Sequence, residues 1–562
     1  MKTDTLIALF IIIAGLIFVL PVYADPGDLD TAFGPDQDGR VTTDISIQDD
    51  MIRDVAVQSD GKIVVIGVTN SGGFISAFAL ARYQAKDGSL DQSFGVSGIV
   101  TTQFSGKIDE GYAIALQEDG KIVAVGVSDA DSIIAPKIAL ARYNTNGILD
   151  TSFGIDGKVV TSVSSGDIAY DVAVQPDGKI VVVGATNTIH LDTSFIVARY
   201  TADGSLDDTF GTGGTVTTDF SARKDRAYAV AVQPGDARIV MAGVADEDSL
   251  DADFALARFS TDGSLDTSFG TDGRLRTDLS TGNDGAFALA LQTDNKIVAG
   301  GIANWGAPTA QGGDFGLVRY QADGTLDTDF GTNGIVITSF SFYDDMVRAL
   351  AIQADGKILA GGFLGYGYAS AEFAMACYME DGSLDNTFGT DGLVHTAFTQ
   401  QDDGAFGLAL QPNGKIVLAG VSTFSGLSSD FALARYYSTL PVITATTPGD
   451  EDSSVPVGTD ISATFSSSQM DASTFTTASF MVQQGSLTIE GAVDFNDSTG
   501  TATFNPTESL DYDTIYTATV TTDVADQAGN HLPSDYTWTF TTGGESSGSS
   551  GGCSCFITTS VF

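Results

Sequence analysis

An all-β chain, made of a closed ring of repeated sheets and a smaller β-sandwich after it, is the fold that this sequence predicts. Three observations lead to this prediction. Three motifs return seven times in the same order, the segments around them are short apolar runs bounded by turn residues, and the repeat stops near residue 437. With 65 Gly in 562 residues and no long helical periodicity, the chain does not have the pattern of an α-rich protein.

The repeat is most legible between residues 171 and 220. Its first motif is a strand that ends in Gln and runs into a turn, as in VAVQPDGKI; the second is a strand such as FIVARY; the third is a loop such as LDDTFG. The leucines that open the seven loops are 61, 59, 57, 59, 61 and 58 residues apart. This spacing is typical of one supersecondary unit per repeat.

The turn residues of the repeat, and the apolar runs between them, predict four strands. VAVQ and KIVVVG flank Pro176, Asp177 and Gly178, which are turn residues, so the two runs form a hairpin. FIVARY and GTVTTDF supply the third and fourth strands. KIVVVG is apolar at successive positions, so both of its faces are buried. Four-stranded sheets stacked around an axis bury both faces, which is the β-propeller arrangement, and seven copies give seven blades.

The two ends of the repeat array predict how the ring closes. A lone fourth strand, residues 41–45, precedes the first complete repeat, and the seventh repeat stops after its third strand at residues 431–436. In an open array both would be unpaired edges, which natural sheets avoid. We therefore expect residues 41–45 to complete the seventh blade, with the alanine-rich VAVQ strands innermost around the axis.

The motifs VAVQPDGKI, FALARY and GSLDTSFG together resemble the delta-60 repeat, a bacterial family regarded as β-propeller-like and largely without assigned function. The resemblance covers roughly residues 27–437. It implies a propeller fold and gives no activity, because a propeller is a scaffold that carries unrelated chemistries.

Four regions are predicted along the chain: a signal peptide at 1–24, the propeller at 25–437, a sandwich at 440–543 and a tail at 544–562. Lys2, an apolar run over residues 6–20 and the small-residue site before Asp25 indicate secretion or display at the cell surface. The alternative, an uncleaved membrane anchor, would need a longer apolar run, so the mature chain is expected to have no transmembrane span.

One set of carboxylates stands out within the propeller. Eight residues before each motif Gln the sequence has an aspartate, namely Asp50, Asp109, Asp167, Asp225, Asp284, Asp345 and Asp403. If the Gln strands are innermost, these residues ring one mouth of the channel, where they would repel one another unless cations or hydrogen-bond donors neutralise them. Two interpretations remain open: a ring that binds a ligand or Ca²⁺, or aspartates that each cap the backbone of their own loop.

Other recurring residues point to structure. The loop aspartates and the strand arginines return blade by blade, so an Arg–Asp pair is expected in each blade except the sixth, where Cys377 replaces the arginine. Trp305, the only tryptophan of the propeller, is expected to be packed rather than exposed for stacking on a sugar.

The C-terminal part resembles the bacterial Ig-like domains of surface and secreted proteins, on short strands such as ISATFS, YTATVTT and WTFTTG. Such modules are spacers or adhesive stalks. A Gly/Ser linker then leads to CSCFITTSVF, which is similar to the Cys-Phe-Ile-x-Thr tail of some exported bacterial proteins. Cys553 and Cys555 are therefore an attachment or processing point, an intermolecular disulfide or a metal pair, the last disfavoured by the lack of a nearby His.

Composition and motifs favour binding over catalysis. A net charge of -46 and a pI near 4.1 disfavour nucleic acid as a partner. The three histidines form no motif with a nucleophile or a metal spacing, so no catalytic residue is assigned. The sequence predicts an exported or surface-displayed binding or structural protein with an extracellular protein or glycan ligand. The alternative is a secreted carboxylate-dependent polysaccharide hydrolase or lyase, which would show a deep cleft with converging non-repeated polar residues.

Overall fold

The computed structural model describes residues 25–71, 75–129, 136–190, 192–249, 251–306, 312–366, 370–423, 428–466, 470–527 and 530–544. This part of the chain contains β-strands and one 3₁₀ helix, Ala472–Thr474. Within it, no helix has the length and apolar character needed to cross a membrane. The predicted signal peptide, the tail from residue 545 onward and both of its cysteines, Cys553 and Cys555, lie outside the described residues.

Seven four-stranded antiparallel sheets form the blades of a propeller, which confirms the predicted fold. Blades 1 to 7 are numbered by their first strands in chain order. The first strands are Asp49–Val57, Glu110–Leu116, Ile168–Val174, Arg226–Val232, Asn283–Leu291, Asp344–Ile352 and Gly404–Leu410. The second strands are Ile63–Ser71, Ile122–Ser128, Ile180–Thr186, Ile239–Ala245, Ile297–Trp305, Ile358–Tyr366 and Ile416–Ser422.

The outer half of each blade is built from the FALARY strand and a short fourth strand. The third strands are Ala77–Tyr83, Lys137–Tyr143, Ser194–Tyr200, Asp253–Phe259, Asp314–Tyr320, Glu372–Tyr378 and Asp430–Tyr436. The fourth strands of blades 1 to 6 are Ile99–Thr102, Lys158–Thr161, Thr215–Thr218, Arg274–Thr277, Ile335–Thr338 and Leu393–Thr396. The first strands of neighbouring blades contact one another all the way round, so they are innermost, as predicted.

The second strand of each blade is the centre of the core. Ile180–Thr186 of blade 3 is buried at every position, because one face packs on blade 2 and the other on blade 4. Apolar side chains on both faces of this strand therefore leave water when the blades stack. This burial confirms the interpretation of KIVVVG as a strand with two buried faces.

The N-terminal segment closes the ring. Arg40–Thr43 is the fourth strand of blade 7 and pairs with the third, with Val41 opposite Leu433. The strand is shorter than the predicted 41–45, because Asp44 and Ile45 already belong to the loop that crosses to blade 1. The same segment supplies the LDxxFG loop of blade 7, where the Asp30 carboxylate accepts a hydrogen bond of 2.7 Å from Nε of Arg435.

The C-terminal domain is a two-sheet β-sandwich. One sheet contains Ile443–Thr447, Ile461–Phe465, Gly491–Asn496 and Thr501–Pro506; the other contains Asp452–Val455, Phe480–Gln484, Leu487–Thr488, Ile515–Val520 and Tyr536–Thr542. Trp538, Phe480 and Tyr516 lie in its core. Ser534 Oγ donates a hydrogen bond of 2.7 Å to the carbonyl of Pro412 in the last propeller hairpin, which links the two domains.

Candidate binding site in the central channel

A β-bulge interrupts every innermost strand at the position five residues before the motif Gln. In blade 3, Ala169 pairs with Gly184 and Asp171 pairs with Val183, so Tyr170 is the extra residue. A bulge turns such a side chain out of the regular pleat, and here it turns it into the channel. The seven bulge residues are Arg53, Tyr112, Tyr170, Tyr228, Phe287, Arg348 and Phe406.

The glycine that ends each KIVVVG motif makes room for the bulge. A Cβ on Gly184 would lie 1.9 Å from the carbonyl oxygen of Ile168, two residues before the bulge residue Tyr170. The equivalent Gly67 and Gly362 meet backbone carbonyl oxygens at the same distance of 1.9 Å. Only glycine permits this approach of the two backbones, so the glycine and the bulge are parts of one local structure.

The bulge side chains form a closed ring of aromatic and cation–π contacts, called here the channel ring. Ring centres lie 5.4 Å apart for Tyr112–Tyr170, 4.8 Å for Tyr170–Tyr228 and 5.0 Å for Tyr228–Phe287. The two arginines complete the circle: Arg348 lies 4.8 Å from the centre of Phe287 and 5.5 Å from Phe406, and Arg53 lies 5.3 Å from Phe406 and 5.5 Å from Tyr112. Such contacts hold the side chains in fixed positions.

A cavity of about 230 Å³ lies against the channel ring. Its wall also includes the residue that follows the bulge in blades 1 to 6, which is Ala in four of them but an aspartate, Asp54 or Asp171, in blades 1 and 3. The cavity is therefore lined by residues that differ from blade to blade, although the scaffold around it repeats. Aromatic walls with a few fixed polar groups are typical of small-molecule sites.

The two cavity aspartates have raised pKa values. Each accepts a backbone N–H from the next blade, Ile114 at 2.9 Å for Asp54 and Val230 at 2.7 Å for Asp171. Burial in the centre of the ring raises the pKa of Asp54 to about 7, and burial together with the charge of Asp54 raises the pKa of Asp171 to about 8. Both side chains keep some surface toward the cavity, so a ligand can reach them.

The tyrosine hydroxyls connect the channel ring to acidic side chains. Tyr112 donates to Glu110 at 2.8 Å, and Tyr228 donates to Glu247 at 2.7 Å. Glu247 also forms an ion pair of 2.9 Å with Arg226. These bonds fix where the polar ends of the tyrosines lie.

The seven aspartates of the predicted ring lie where the innermost strands begin, and their carboxylates are buried. Asp167 accepts hydrogen bonds from the backbone N–H groups of Val163 and Ser164 and from the hydroxyls of Ser164 and Thr186. Equivalent bonds from the preceding loop are made to Asp50, Asp109, Asp225, Asp284, Asp345 and Asp403. Each of these aspartates is at most 1 % exposed.

This geometry favours the capping interpretation of the ring. The aspartates tie the loop that crosses from the previous blade to the hairpin of their own blade, and N–H and O–H donors already surround the carboxylate oxygens. Burial raises the pKa of Asp225, Asp284 and Asp345, and the surrounding donors act against it. Binding of a ligand or Ca²⁺ by the ring stays a prediction.

Two of the ring aspartates do have further carboxylates nearby. Asp50 lies with Asp44 and Asp430, and Asp284 lies with Asp253 and Asp278, in groups whose oxygens are within 4.8 Å of one another. In the second group Arg276 pairs with Asp253, which supplies positive charge without an ion. If the chain binds Ca²⁺ among its described residues, these are the two places where oxygen ligands are gathered.

The predicted Arg–Asp pairs are present and hold neighbouring blades together. Arg199 donates to Asp207 at 2.8 Å, reaches the carbonyl of Thr261 in the next blade and lies 4.5 Å from the centre of the Phe210 ring. In blade 6, Cys377 is fully buried and Asp385 instead pairs with Lys357 at 3.0 Å.

The channel ring is not among the residues that the sequence analysis predicts, because its seven positions hold different side chains in different blades. Five residues before each Gln stands a large side chain in an alanine-rich strand, and opposite it stands a glycine; together they indicate a bulge.

The expectation that Trp305 is packed was wrong, since this residue is 40 % exposed at the end of its strand.

Comparison with protein families identifies both parts of the chain. A model described as a β-propeller domain of unknown function, DUF5122, matches residues 58–94, 117–153, 175–210, 236–269, 292–330, 353–388 and 411–438. A model described as a bacterial Ig-like domain matches residues 438–542. No curated protein matches the chain.

Similarity to solved structures is low. Drosophila Semaphorin 2a is 8% identical over 92% of this chain and 98% of its own, with a TM-score of 0.41. A protein of unknown function from Dyadobacter fermentans is 10% identical over 71% of this chain and 98% of its own, with a TM-score of 0.37. For the bacterial S-layer protein SbsC the match covers 18% of this chain and 24% of the other, at 21% identity and a TM-score of 0.16. Scores at this level give no basis for assigning function.

Proposed function

Because this chain belongs to the DUF5122 β-propeller family and carries a bacterial Ig-like domain after its seventh blade, we propose that it is an exported or surface-displayed binding protein. In this proposal the propeller is the recognition head, the central channel is its ligand site and the Ig-like domain is a stalk. The sequence patterns of residues 1–24 and of the Cys553/Cys555 tail support export and attachment.

The observation that carries the proposal is the contrast between scaffold and channel. The capping aspartates and the Arg–Asp pairs repeat with almost no variation, as expected for residues that hold blades together. The seven bulge positions hold three tyrosines, two phenylalanines and two arginines around one cavity. An asymmetric set of large side chains in a symmetric ring supports selective recognition of a small ligand or of the end of a longer chain.

The test is a binding screen with the full chain. Purified protein is applied to an array of neutral and acidic glycans, and positive ligands are measured by calorimetry with the wild type and with Tyr170→Ala. We expect the variant to bind at least tenfold more weakly, because Tyr170 contacts Tyr112 and Tyr228 in the channel ring. Tyr512→Ala, which removes an exposed tyrosine of the Ig-like domain, is the matched control and should bind as the wild type does. Equal binding by all three proteins would place recognition outside the channel.

A carboxylate-dependent hydrolase or lyase is the second candidate, and one observation favours it. Asp54 and Asp171 line the channel cavity with pKa values of about 7 and 8, the range in which a carboxyl group serves as general acid or base near neutral pH. The screen therefore includes polysaccharide substrates. Turnover that is abolished in Asp54→Asn or Asp171→Asn, with binding retained, would establish this candidate; binding without turnover would support a recognition head.

A further inference from the structure

Two arginines of the channel ring lack the carboxylate partner that the repeated arginines have. The strand arginines of blades 1 to 5 and 7 each lie 2.7–2.9 Å from an aspartate oxygen. Within the described part of the chain, no carboxylate oxygen lies within 4.0 Å of a guanidinium nitrogen of Arg53 or Arg348. In a chain with a net charge of -46, leaving two central arginines without a counter-charge is unexpected.

The two guanidinium groups converge on one place. Arg53 and Arg348 lie 5.3 and 5.5 Å from the centre of the same phenyl ring, that of Phe406. Among the described residues, the buried Nε of Arg53 has no hydrogen-bond partner, and Arg348 forms one hydrogen bond, from its Nη1 to Sδ of Met346 at 3.6 Å. Both arginines line the channel cavity and also an adjoining pocket of about 250 Å³, beside Phe363. The two guanidinium groups thus border the same two cavities.

The carboxyl groups around the cavity form no direct ion pair with these two arginines among the described residues. Burial and the charge of Arg53 lower the pKa of Arg348 to about 10, as expected for two cations held close together. The cavity carboxyls Asp54 and Asp171 hold protons at neutral pH for part of the time, since their pKa values are raised to about 7 and 8. Asp402 and Asp403 also line the adjoining pocket, where they accept backbone N–H groups, and among the described residues neither forms an ion pair with Arg53 or Arg348. A bound anion would supply the missing charge.

We propose that Arg53 and Arg348 bind the carboxylate of a sugar acid, with the sugar ring lying on the aromatic faces of Phe287, Phe406 and Tyr112. A guanidinium group binds a carboxylate through two parallel N–H···O bonds, and two such groups on one ring select a planar anion. The aromatic neighbours favour an anion that has an apolar face, which inorganic phosphate lacks. This inference rests on the proposed function of the channel and names the class of ligand.

The test uses thermal melting and calorimetry of the full chain with four probes: galacturonate, an oligogalacturonate, galactose and inorganic phosphate. Galacturonate and galactose differ in the carboxylate, so the pair isolates the role of the arginines. We expect galacturonate to raise Tm and galactose to leave it unchanged. A larger effect of the oligomer would identify an acidic polysaccharide end as the source of the carboxylate, and an equal effect would identify the free sugar acid.

Variants connect the effect to the two arginines. Arg53→Gln and Arg348→Gln should each weaken galacturonate binding at least tenfold, and the double variant should melt at a higher temperature without ligand, because two unpaired cations have been removed. Arg223→Gln, at an exposed arginine of the loop before blade 4, is the matched control and should behave as the wild type. A lower Tm of the double variant would indicate a purely structural role for the pair and overturn the inference.

The outcomes also separate the two proposals. No galacturonate effect together with channel-dependent binding of a neutral glycan would overturn the sugar-acid inference and leave the recognition head in place. A phosphate effect as large as that of galacturonate would overturn the selection of a carboxylate. Binding of galacturonate that survives in the double variant would contradict the inference as well.

Discussion

Asp54 and Asp171 bind protons more tightly in the folded protein than in the unfolded chain, and this predicts how the free energy of unfolding depends on pH. Their unfolded pKa of 3.8 rises to about 7 and about 8 in the folded protein. Between pH 4 and pH 7 to 8 the folded state therefore holds protons that the unfolded state has released. The stabilisation from the two groups is complete at low pH and is lost as pH rises through the folded values, with a slope of about 1.4 kcal/mol per pH unit for each group.

Urea unfolding at pH 5, 6, 7 and 8 checks this prediction. Asp54→Asn and Asp171→Asn should each show a flatter decline of the free energy of unfolding than the wild type, because asparagine has no proton to release. Asp497→Asn, at an exposed position of the Ig-like domain, serves as control and should follow the wild-type profile. Parallel profiles for all four proteins would contradict the raised pKa values and, with them, the proton-transfer role considered for the channel.

The capping aspartates give a second prediction at the scale of single residues. In Asp167→Asn the amide nitrogen cannot accept a hydrogen bond, so at least one of the donors around residue 167 loses its partner; we expect a loss of about 1–3 kcal/mol. Asp177→Asn, in the exposed turn of the same blade, should cost much less.

The capping interpretation also predicts the response to calcium. The Tm of the wild type should be equal in chelator and in millimolar Ca²⁺. A rise of Tm on addition of Ca²⁺ that is lost in Asp50→Asn or Asp284→Asn would support the cation ring.

At the scale of the blade, the loop aspartate pairs with the arginine of the third strand, and in the sixth blade a lysine takes the place of this arginine. In blade 3, Asp207 pairs with Arg199 at 2.8 Å and has Lys179 only at 3.6 Å. In blade 6, Cys377 leaves Lys357, at 3.0 Å, as the one cation that reaches Asp385 among the described residues. Lys357→Met should therefore cost about 3 kcal/mol, since it leaves a buried carboxylate with only the neutral donors of Thr387, while Lys179→Met should cost less than about 1 kcal/mol. Equal losses in chemical denaturation would show that the lysines of the two blades have the same role.

The strands and blades also show which features of the fold can be predicted from the sequence. Strand number, blade order and the Arg–Asp pairs followed from turn residues and apolar runs, because these are local or repeat seven times. The channel ring did not follow, since Tyr170 and Arg348 become neighbours of one cavity only when seven bulges point at the axis. The large side chain ahead of VAVQ and the glycine of KIVVVG are both visible in the sequence. That they lie opposite each other and form a bulge depends on the register of the hairpin, which only the structure provides.

At the scale of the whole molecule, the segment before blade 1 holds the ring shut. It supplies the strand Arg40–Thr43 to blade 7 and places Asp30 between Arg435 and Lys415, at 2.7 and 2.6 Å. Its backbone also bonds to the end of the last blade, through the N–H of Gly27 to the carbonyl of Tyr437 at 2.8 Å. These contacts join parts of the chain that are about 400 positions apart, so they restrain the ring as a disulfide would restrain a long loop.

Removal of this segment is therefore expected to weaken all blades together. A chain that starts at residue 47 loses a strand, and it leaves Arg435 and Lys415 buried without their carboxylate, a change expected to cost at least about 5 kcal/mol. The matched control is a chain that starts at Asp25 and keeps the strand. Calorimetry should show a large fall in Tm for the shorter chain, and a synthetic peptide of residues 25–46 should restore part of it by pairing along residues 431–434. An unchanged Tm would mean that the blades stay closed through the contacts between innermost strands alone.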